Sequence, residues 1–320
     1  MARRFDVPDL VERARRGEPR AVGRLISLVE DASPALREVM AALVPLTGHA
    51  RVVGLTGSPG VGKSTSTSAL VSSYRALGKR VGVLAVDPSS PFSGGALLGD
   101  RVRMQDHATD PEVYIRSMAS RGHLGGLAVA TPQALRVLDA AGCDVILVET
   151  VGVGQAEVEV ASLADSTIVL VAPGMGDSVQ AAKAGILEVA DVFVVNKADR
   201  EGADQTARDL RHMLSLGERR TPEDWRVPIV KTVASRGEGS DEVVEALEKH
   251  GAWLENSGEL ARRRLARVTD EVEAIAVATL RDRMGDVHGT AALPRLAERV
   301  LKGELDPYAA ADELVAGLTG

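Results

Sequence analysis

Aromatic residues are scarce in this sequence and make up only 2% of its 320 residues. The core must therefore be built from smaller apolar side chains, and the stacking platforms that hold nucleic-acid bases are not expected. Positively charged residues are also fewer than negatively charged ones: the chain has 38 Lys and Arg and 45 Asp and Glu, which gives a net charge of −7. A broad nucleic-acid-binding or membrane-binding surface is therefore not predicted.

The sequence also has only one cysteine and no long apolar run. The single cysteine, Cys143, excludes an internal disulfide and a thiolate metal cage within one chain. No run reaches the roughly 18 apolar residues of a transmembrane helix. Residues 1–16 are charged and lack the apolar core of a signal peptide. These absences favour a cytoplasmic protein.

A phosphate-binding loop is the strongest pattern present. Residues 57–65 complete G-x-x-x-x-G-K-[ST], between an apolar run at 52–56 and a helix-like stretch at 66–77. Glycines let successive backbone N–H groups face phosphate oxygens, and the helix N-terminus adds a positive dipole end. Lys63 is expected to reach the β- and γ-phosphates, and Ser64 to bind Mg²⁺. The predicted loop residues are Gly57, Ser58, Pro59, Gly60, Val61, Gly62, Lys63, Ser64 and Thr65.

A second motif, Asn196-Lys197-Ala198-Asp199, follows another apolar run and predicts guanine binding. Asp199 can accept hydrogen bonds from N1–H and N2–H₂ of guanine, whereas adenine presents an acceptor at N1. Lys197 is expected to lie along the base plane, and Asn196 to tie this loop to the phosphate loop. Three residues after the next strand are expected to contact guanine O6 through their backbone N–H groups: Val233, Ala234 and Ser235.

The segment from Glu149 to Gln155 corresponds to the D-x-x-G phosphate motif of many GTPases, with Glu149 in the Asp place and Gly152 in the Gly place. Position 153 is Val, where Ras-type GTPases carry a water-orienting Gln, so slow intrinsic hydrolysis is predicted. Gln155 lies two residues further on and enters the site only after a rearrangement. A surface Gln that starts the next helix is the alternative.

Two further carboxylates, Asp87 and Asp100, follow the second strand of the predicted sheet. Mg²⁺ in nucleotide sites binds one or two carboxylates together with phosphate oxygens and water. Both residues are therefore candidates for binding Mg²⁺ or for positioning the attacking water. For Asp100 a plain helix N-cap is the alternative.

Strand-like runs alternate with helix-like stretches from residue 51 to about residue 249. This order predicts an α/β fold of the P-loop NTPase class, with a mainly parallel, doubly wound sheet. Ligands in such sheets bind at the carboxyl ends of the strands, where most of the motifs fall. We expect three segments: an N-terminal helical arm at 1–48, a P-loop GTPase domain at 49–256, and a C-terminal helical extension at 257–320.

The C-terminal extension carries a short heptad pattern. Its apolar positions step by three and four residues, as in a coiled-coil seam. This pattern indicates a surface for dimerisation or for a partner, and packing on the parent domain is the alternative. The residues of the pattern are Leu265, Val268, Val272, Ile275 and Thr279.

Together these motifs resemble the methylmalonyl-CoA mutase-associated GTPases of the MeaB/ArgK type, in the metallochaperone-like branch of the P-loop GTPases. The resemblance spans essentially the whole chain. Its most specific parts are the Glu149 segment and a Gly-rich turn. The residues that carry it, beside the phosphate loop, are Asp87-Pro88-Ser89-Ser90, Gly99-Asp100-Arg101, Arg121-Gly122-His123-Leu124-Gly125-Gly126, Glu149-Thr150-Val151-Gly152-Val153-Gly154-Gln155 and Asn196-Lys197-Ala198-Asp199.

The resemblance implies a homodimeric GTPase chaperone of adenosylcobalamin-dependent methylmalonyl-CoA mutase or of a related acyl-CoA mutase. Such proteins use GTP to gate cofactor loading and to protect or release damaged cofactor. By the same resemblance Asp87, Asp100 and Glu149 are the Mg²⁺-binding and catalytic carboxylates, beside the phosphate-loop Lys63. Lys183 then belongs to a third switch through which the mutase stimulates hydrolysis.

Two other functions stay open at this point. A kinase or a transport-associated ATPase or GTPase would transfer phosphate to a protein or a small molecule, but the sequence shows no dedicated acceptor pocket or base. A binding scaffold would hold its nucleotide as a structural element only.

Overall fold

The computed structural model describes residues 6–88, 104–107, 109–120, 126–150, 156–174, 187–216, 221, 223–284 and 292–319. The chain forms two compact units, Met1–Arg267 and Val268–Gly320. The first unit holds the sheet and both predicted nucleotide-binding motifs. In the described part of the chain, no helix is long and apolar enough to cross a membrane.

A seven-stranded sheet forms the centre of the first unit, in the order β3-β2-β4-β1-β5-β6-β7. Every pair of neighbouring strands is parallel. The inner strands are almost continuous runs of Val, Leu and Ile because both of their faces are covered. The strands are β1 (Arg51–Thr56), β2 (Val81–Pro88), β3 (Val113–Ser120), β4 (Val145–Thr150), β5 (Ser166–Val171), β6 (Val192–Asn196) and β7 (Ile229–Thr232).

Helices cover both faces of this sheet. One face packs against α1 to α3, α5, α6 and α7, and the other face packs against α4 and α8. This confirms the predicted doubly wound α/β fold of the P-loop class. Among the described residues, the α-helices that lie wholly in the first unit are α1 (Val7–Arg15), α2 (Pro19–Glu30), α3 (Leu36–Leu43), α4 (Lys63–Ala76), α5 (Gly126–Ala140), α6 (Ala156–Leu163), α7 (Ala203–Ser215) and α8 (Ser240–Ser257), with a short helical turn at Leu187–Val189.

The N-terminal helices α1 to α3 share a core with the sheet. Leu25 and Ile26 of α2 are fully buried in the same cluster as side chains of β2, β3 and α5. The outer strand β3 adds polar bonds to the arm, since the Tyr114 hydroxyl donates to the Gly17 carbonyl at 2.9 Å and Arg116 donates to Ser27 Oγ at 3.1 Å. The arm is thus part of the first compact unit.

Two helices do not begin at the proline that would favour a helix start. Ser33-Pro34 predicts the start of the third helix, but α3 begins at Leu36, because residues 34 and 35 form a turn in which Ser33 Oγ accepts from the Ala35 N–H at 3.3 Å. Pro132 predicts the start of α5, but that helix begins at Gly126 and runs through the proline. The lost backbone hydrogen bond at Pro132 is tolerated because residues further along α5 are packed in the core.

The long helix α9 (Glu259–Met284) follows α8 directly. Three apolar residues of the predicted heptad pattern lie in its part of the second unit and are exposed: Val268 by 45%, Val272 by 62% and Ile275 by 38%. The second unit continues with α10 (Ala292–Leu301) and α11 (Pro307–Thr319), which are linked by an ion pair between Arg299 and Glu313 at 2.6 Å.

Candidate nucleotide-binding site

The phosphate loop connects the end of β1 to the start of α4. Gly57, Gly60 and Gly62 all have positive φ angles, of 140°, 82° and 99°. A Cβ at Gly57 would lie 2.3 Å from the carbonyl oxygen of Leu170, and one at Gly62 would lie 2.4 Å from Asn196 Nδ2. The loop therefore needs glycine at both positions for steric reasons as well as for backbone conformation.

Helix α4 begins at Lys63, with Gly62 as its N-cap. Glycine has no side chain with which to cap the first turn, and a helix N-terminus of this kind is a usual place for an anion to bind. The Lys63 ammonium donates to the carbonyl oxygen of Gly57 at 2.5 Å and approaches that of Ser58 at 3.4 Å. The ammonium group thus contacts two carbonyl groups of the loop. A bound phosphate would compete with these carbonyl groups for the ammonium group.

Glu149 lies at the carboxyl end of β4, between Leu55 of β1 and Ala85 of β2 in the strand register. It is fully buried, and its Oε2 accepts a hydrogen bond from Thr67 Oγ1 of α4 at 2.5 Å. Ser64 is also buried and lies one turn before Thr67 on the same helix. The fold therefore brings the Glu149 carboxylate to the helix that carries the predicted Mg²⁺ ligand Ser64.

The donor set at this end of α4 fits Mg²⁺. The Ser64 hydroxyl and the Glu149 carboxylate are hard oxygen ligands, which Mg²⁺ prefers. Among the described residues, no group of three or more His, Cys, Asp or Glu side chains could hold a metal ion by itself. A Mg²⁺ ion at this end of α4 is therefore expected to complete its coordination with phosphate oxygens and water, as is usual in nucleotide sites.

Asn196 connects three loops of the site, including the phosphate loop as predicted. The side chain is buried, and its Nδ2 donates to the Val61 carbonyl in the phosphate loop at 2.8 Å. Its Oδ1 accepts from the Ala234 N–H at 3.1 Å and from Thr232 Oγ1 at 3.2 Å. One amide side chain thus sets the spacing between the phosphate loop and both predicted guanine loops. The absent Cβ of Gly62 makes room for it.

Lys197 and Asp199 border the space predicted for the base. Lys197 has a φ of 58°, which is uncommon for a residue with a side chain. Its Nζ donates to the Gly60 carbonyl at 2.6 Å, so the side chain reaches back over the phosphate loop. The Asp199 carboxylate is exposed and lies 3.5 Å from Arg236 Nη2. An exposed carboxylate at this position can accept hydrogen bonds from a ligand.

The loop after β7 folds as a short 3₁₀ turn, Ala234–Arg236, and Val233 and Ala234 are buried beside Asn196. Sequence reasoning missed Arg236 and Thr67, which contact the predicted site residues Asp199 and Glu149. Neither belongs to a recognised motif. The only signal for them in the sequence is that each lies close to a predicted segment. Arg236 directly follows Ser235, and Thr67 lies two residues after Thr65.

Several predicted site residues lie outside the described part of the chain. The backbone of Asp87 continues β2 at the carboxyl edge of the sheet, two residues beyond Ala85, but its side chain is outside the description. The remaining predictions that fall outside the described residues are Asp100, Gly152, Gln155 and Lys183.

The sequence matches the family of the methylmalonyl-CoA mutase-associated GTPase MeaB over residues 22–288. The chain belongs to this family. The predicted enzyme class, a GTP hydrolase, agrees with this family of GTPases.

Relatives of this MeaB-family chain cover nearly its full length. A protein of Pyrococcus abyssi that carries a GTPase name is 47% identical over 315 residues, which cover 98% of this chain and 97% of the relative. The mouse (Mus musculus) protein named methylmalonic aciduria type A homolog, mitochondrial, is 34% identical over 321 residues, covering 94% and 76%. A crystal structure of an LAO/AO transport system kinase covers all of both chains with a TM-score of 0.72 and 28% identity.

Proposed function

We propose that this MeaB-family GTPase is a Mg²⁺-dependent switch that acts as a chaperone of an adenosylcobalamin-dependent methylmalonyl-CoA mutase or of a related acyl-CoA mutase. Family membership over residues 22–288 and the name of the mouse relative support this partner. The proposal that the chain binds GTP rests on the contacts of Asn196 with Val61 and Ala234, because they join the phosphate loop to the predicted guanine loops in one site.

In this proposal the phosphate-loop amides and Lys63 hold the triphosphate, and Lys197 and Asp199 select guanine. Ser64 and Glu149 hold Mg²⁺ directly or through water, together with Asp87. Bound Mg²⁺ would neutralise charge on the β- and γ-phosphates. Asp100 positions the attacking water.

Hydrolysis is proposed to be slow until the mutase binds. Val153 stands where a water-orienting Gln would be found in Ras-type GTPases, so the isolated chain lacks that group at that position. Gln155 and Lys183 are the residues that we propose to couple the mutase to the site. The nucleotide state would then time the loading, protection or release of the cobalamin cofactor.

We also propose that the chain is a homodimer that uses the exposed face of α9. Val268, Val272 and Ile275 recur at heptad spacing and are exposed in a single chain. Burying such a stripe against a second copy is the usual outcome of a heptad pattern. Val272→Glu should convert the dimer to a monomer in light-scattering measurements, whereas Thr279→Glu at the end of the pattern should have a smaller effect. A wild-type monomer at micromolar concentration would contradict the proposal.

A turnover assay tests the main proposal. The purified protein should release inorganic phosphate from GTP slowly in the presence of Mg²⁺, and an added mutase should raise the rate. Rapid hydrolysis by the isolated protein that the mutase leaves unchanged would contradict the switch. Mutase activity in the presence of damaged cofactor, measured with and without the GTPase and GTP, tests the chaperone role separately.

A kinase is the second candidate, because a structurally similar protein carries the name LAO/AO transport system kinase. Terminally labelled GTP distinguishes the two. A GTP hydrolase places the label in inorganic phosphate, whereas a kinase places it on an acceptor. Label that appears on a protein or an added small molecule, and is lost in a Lys63→Ala variant, would favour the kinase.

A further inference from the structure

Thr67 makes a buried contact with the predicted Mg²⁺ ligand Glu149. Both side chains are fully buried, and Thr67 Oγ1 lies 2.5 Å from Glu149 Oε2. The two residues are 82 positions apart in the sequence. They meet because α4 packs over the central strands β1 and β4, with Glu149 at the carboxyl end of β4.

The geometry shows how the Thr67 hydroxyl uses its one proton. The same oxygen lies 3.1 Å from the carbonyl oxygen of Lys63, one turn earlier on the helix. A hydroxyl donates only once, and a hydrogen bond to a charged carboxylate is shorter and stronger than one to a neutral carbonyl. The shorter distance therefore marks Glu149 as the acceptor.

Glutamate at this position needs such a restraint more than aspartate would. Many GTPases place the shorter Asp here, whereas Glu149 has one more rotatable bond between its carboxylate and the backbone. Ordering that bond when a ligand binds costs side-chain entropy. A hydrogen bond that already orders the side chain before binding makes this cost smaller. A threonine on a helix also has few rotamers, so Thr67 is a stiff donor.

We propose that Thr67 is a positioning residue that orients the Glu149 carboxylate for Mg²⁺. Hydrogen-bond partners of metal-ligating carboxylates commonly control metal affinity in this way. The proposal rests on the proposed function, in which Glu149 holds Mg²⁺ directly or through water. It adds a residue that belongs to none of the sequence motifs by which the site was predicted.

The test compares four variants by Mg²⁺ titration of nucleotide binding. Valine at position 67 has nearly the same shape as threonine but no hydroxyl (Thr67→Val). Thr67→Ala removes the hydroxyl with a side chain smaller than valine, and Thr67→Ser keeps the hydroxyl. Ser66→Ala is the matched control, because the Ser66 hydroxyl is buried on the same helix but has no hydrogen-bond partner among the described residues. Binding of N-methylanthraniloyl-GDP, read by fluorescence, needs no turnover.

We expect the Thr67→Val and Thr67→Ala proteins to need about 10- to 100-fold more Mg²⁺ for half-maximal enhancement of GDP binding. Their GDP affinity in EDTA should stay within about twofold of wild type, since the phosphate loop is intact. Thr67→Ser and Ser66→Ala should behave as the wild type does. In a Glu149→Gln background, Thr67→Val should add little, because residues that act through one another are not additive.

The proposal would be overturned if Thr67→Val and Thr67→Ala both needed the same Mg²⁺ concentration as the wild type for half-maximal enhancement of GDP binding. An equal loss of GDP affinity with and without Mg²⁺ would also overturn it, because it would show that Thr67 supports the loop as a whole. Failure of Thr67→Ser to restore the titration would also count against it. If GDP binding by the wild type does not respond to Mg²⁺ at all, the Mg²⁺-dependent function itself is wrong, which is a different result.

Discussion

The ionic cluster at the amino edge of the sheet allows a quantitative prediction. Asp165, directly before β5, is 1% exposed and accepts hydrogen bonds from two arginines of α9. Arg264 Nη2 lies 2.9 Å from its Oδ2, and Arg267 Nη2 lies 2.6 Å from its Oδ1. The Val52 N–H of β1 also donates to it at 3.1 Å. The perturbation is Asp165→Asn, which keeps the size of the side chain but removes its charge.

The size of the effect follows from the burial of the arginines. Removing one partner of a buried ion pair typically costs about 3 to 5 kcal/mol, because the other charge stays behind. Arg264 is 28% exposed and Arg267 is 13% exposed, so water screens part of that cost. We therefore expect a loss of about 3 kcal/mol, at the lower end of the range. For a domain of this size, that corresponds to a Tm lower by roughly 6 to 12 °C.

The assay is thermal unfolding followed by tryptophan fluorescence. The chain has two tryptophans, Trp225 and Trp253, and both pack against His250, which contacts Ser166 at the start of β5. Their signal therefore reports on this edge of the sheet. The control is Asp204→Asn, because Asp204 forms an exposed ion pair with Lys231 and should not change the Tm measurably.

The same substitution should change the response to acid. Burial raises the pKa of Asp165, but the hydrogen bond from Arg264 and the charges of Arg267 and Arg264 outweigh it and lower the pKa below its ordinary value. A lowered pKa stabilises the folded state above the unfolded pKa of about 4, and that stability is lost as the pH falls through the folded value. Asp165→Asn should remove this part of the acid sensitivity. A Tm within about 2 °C of wild type at pH 7 would refute the reasoning.

Three further predictions concern single residues of the first unit. Asn196→Ala should weaken GDP binding and reduce stability by about 2 to 3 kcal/mol in urea unfolding, because buried partners such as the Val61 carbonyl lose their bond; unchanged GDP affinity would contradict the linking role. Asp199→Asn should weaken GTP binding by at least about 100-fold, since a charged acceptor is lost, and should raise the relative affinity for xanthosine triphosphate, whose C2 carbonyl can accept from the Asn amide; an unchanged preference for GTP over xanthosine triphosphate in competition assays would disprove it. Burial lowers the pKa of His250 to about 4. The wild type should therefore lose about 1.5 kcal/mol of stability between pH 6.5 and pH 5 as the unfolded chain takes up protons, and His250→Gln should flatten that slope in urea unfolding.

The sequence alone determined the fold class and the two nucleotide motifs. Gly57 to Thr65 and Asn196 to Asp199 are each a run of consecutive residues whose function depends on local backbone shape, so their spacing is readable without a structure. The parallel sheet was readable too, because strands buried on both faces need almost continuous apolar runs, such as the one at 145–148. The heptad steps of α9 were equally visible as a periodic pattern.

Only the tertiary structure decided which distant side chains meet. The bond between Thr67 and Glu149 and the contact of Asn196 with Ala234 join segments that lie far apart in the chain. No local pattern encodes such pairs, because they depend on strand order and on the packing of α4 over β1 and β4. The same holds for the N-terminal helices, which the sequence predicts as a helical arm but whose place on the sheet it does not predict. Local periodicity specifies an element, whereas the free energy of packing selects its neighbours.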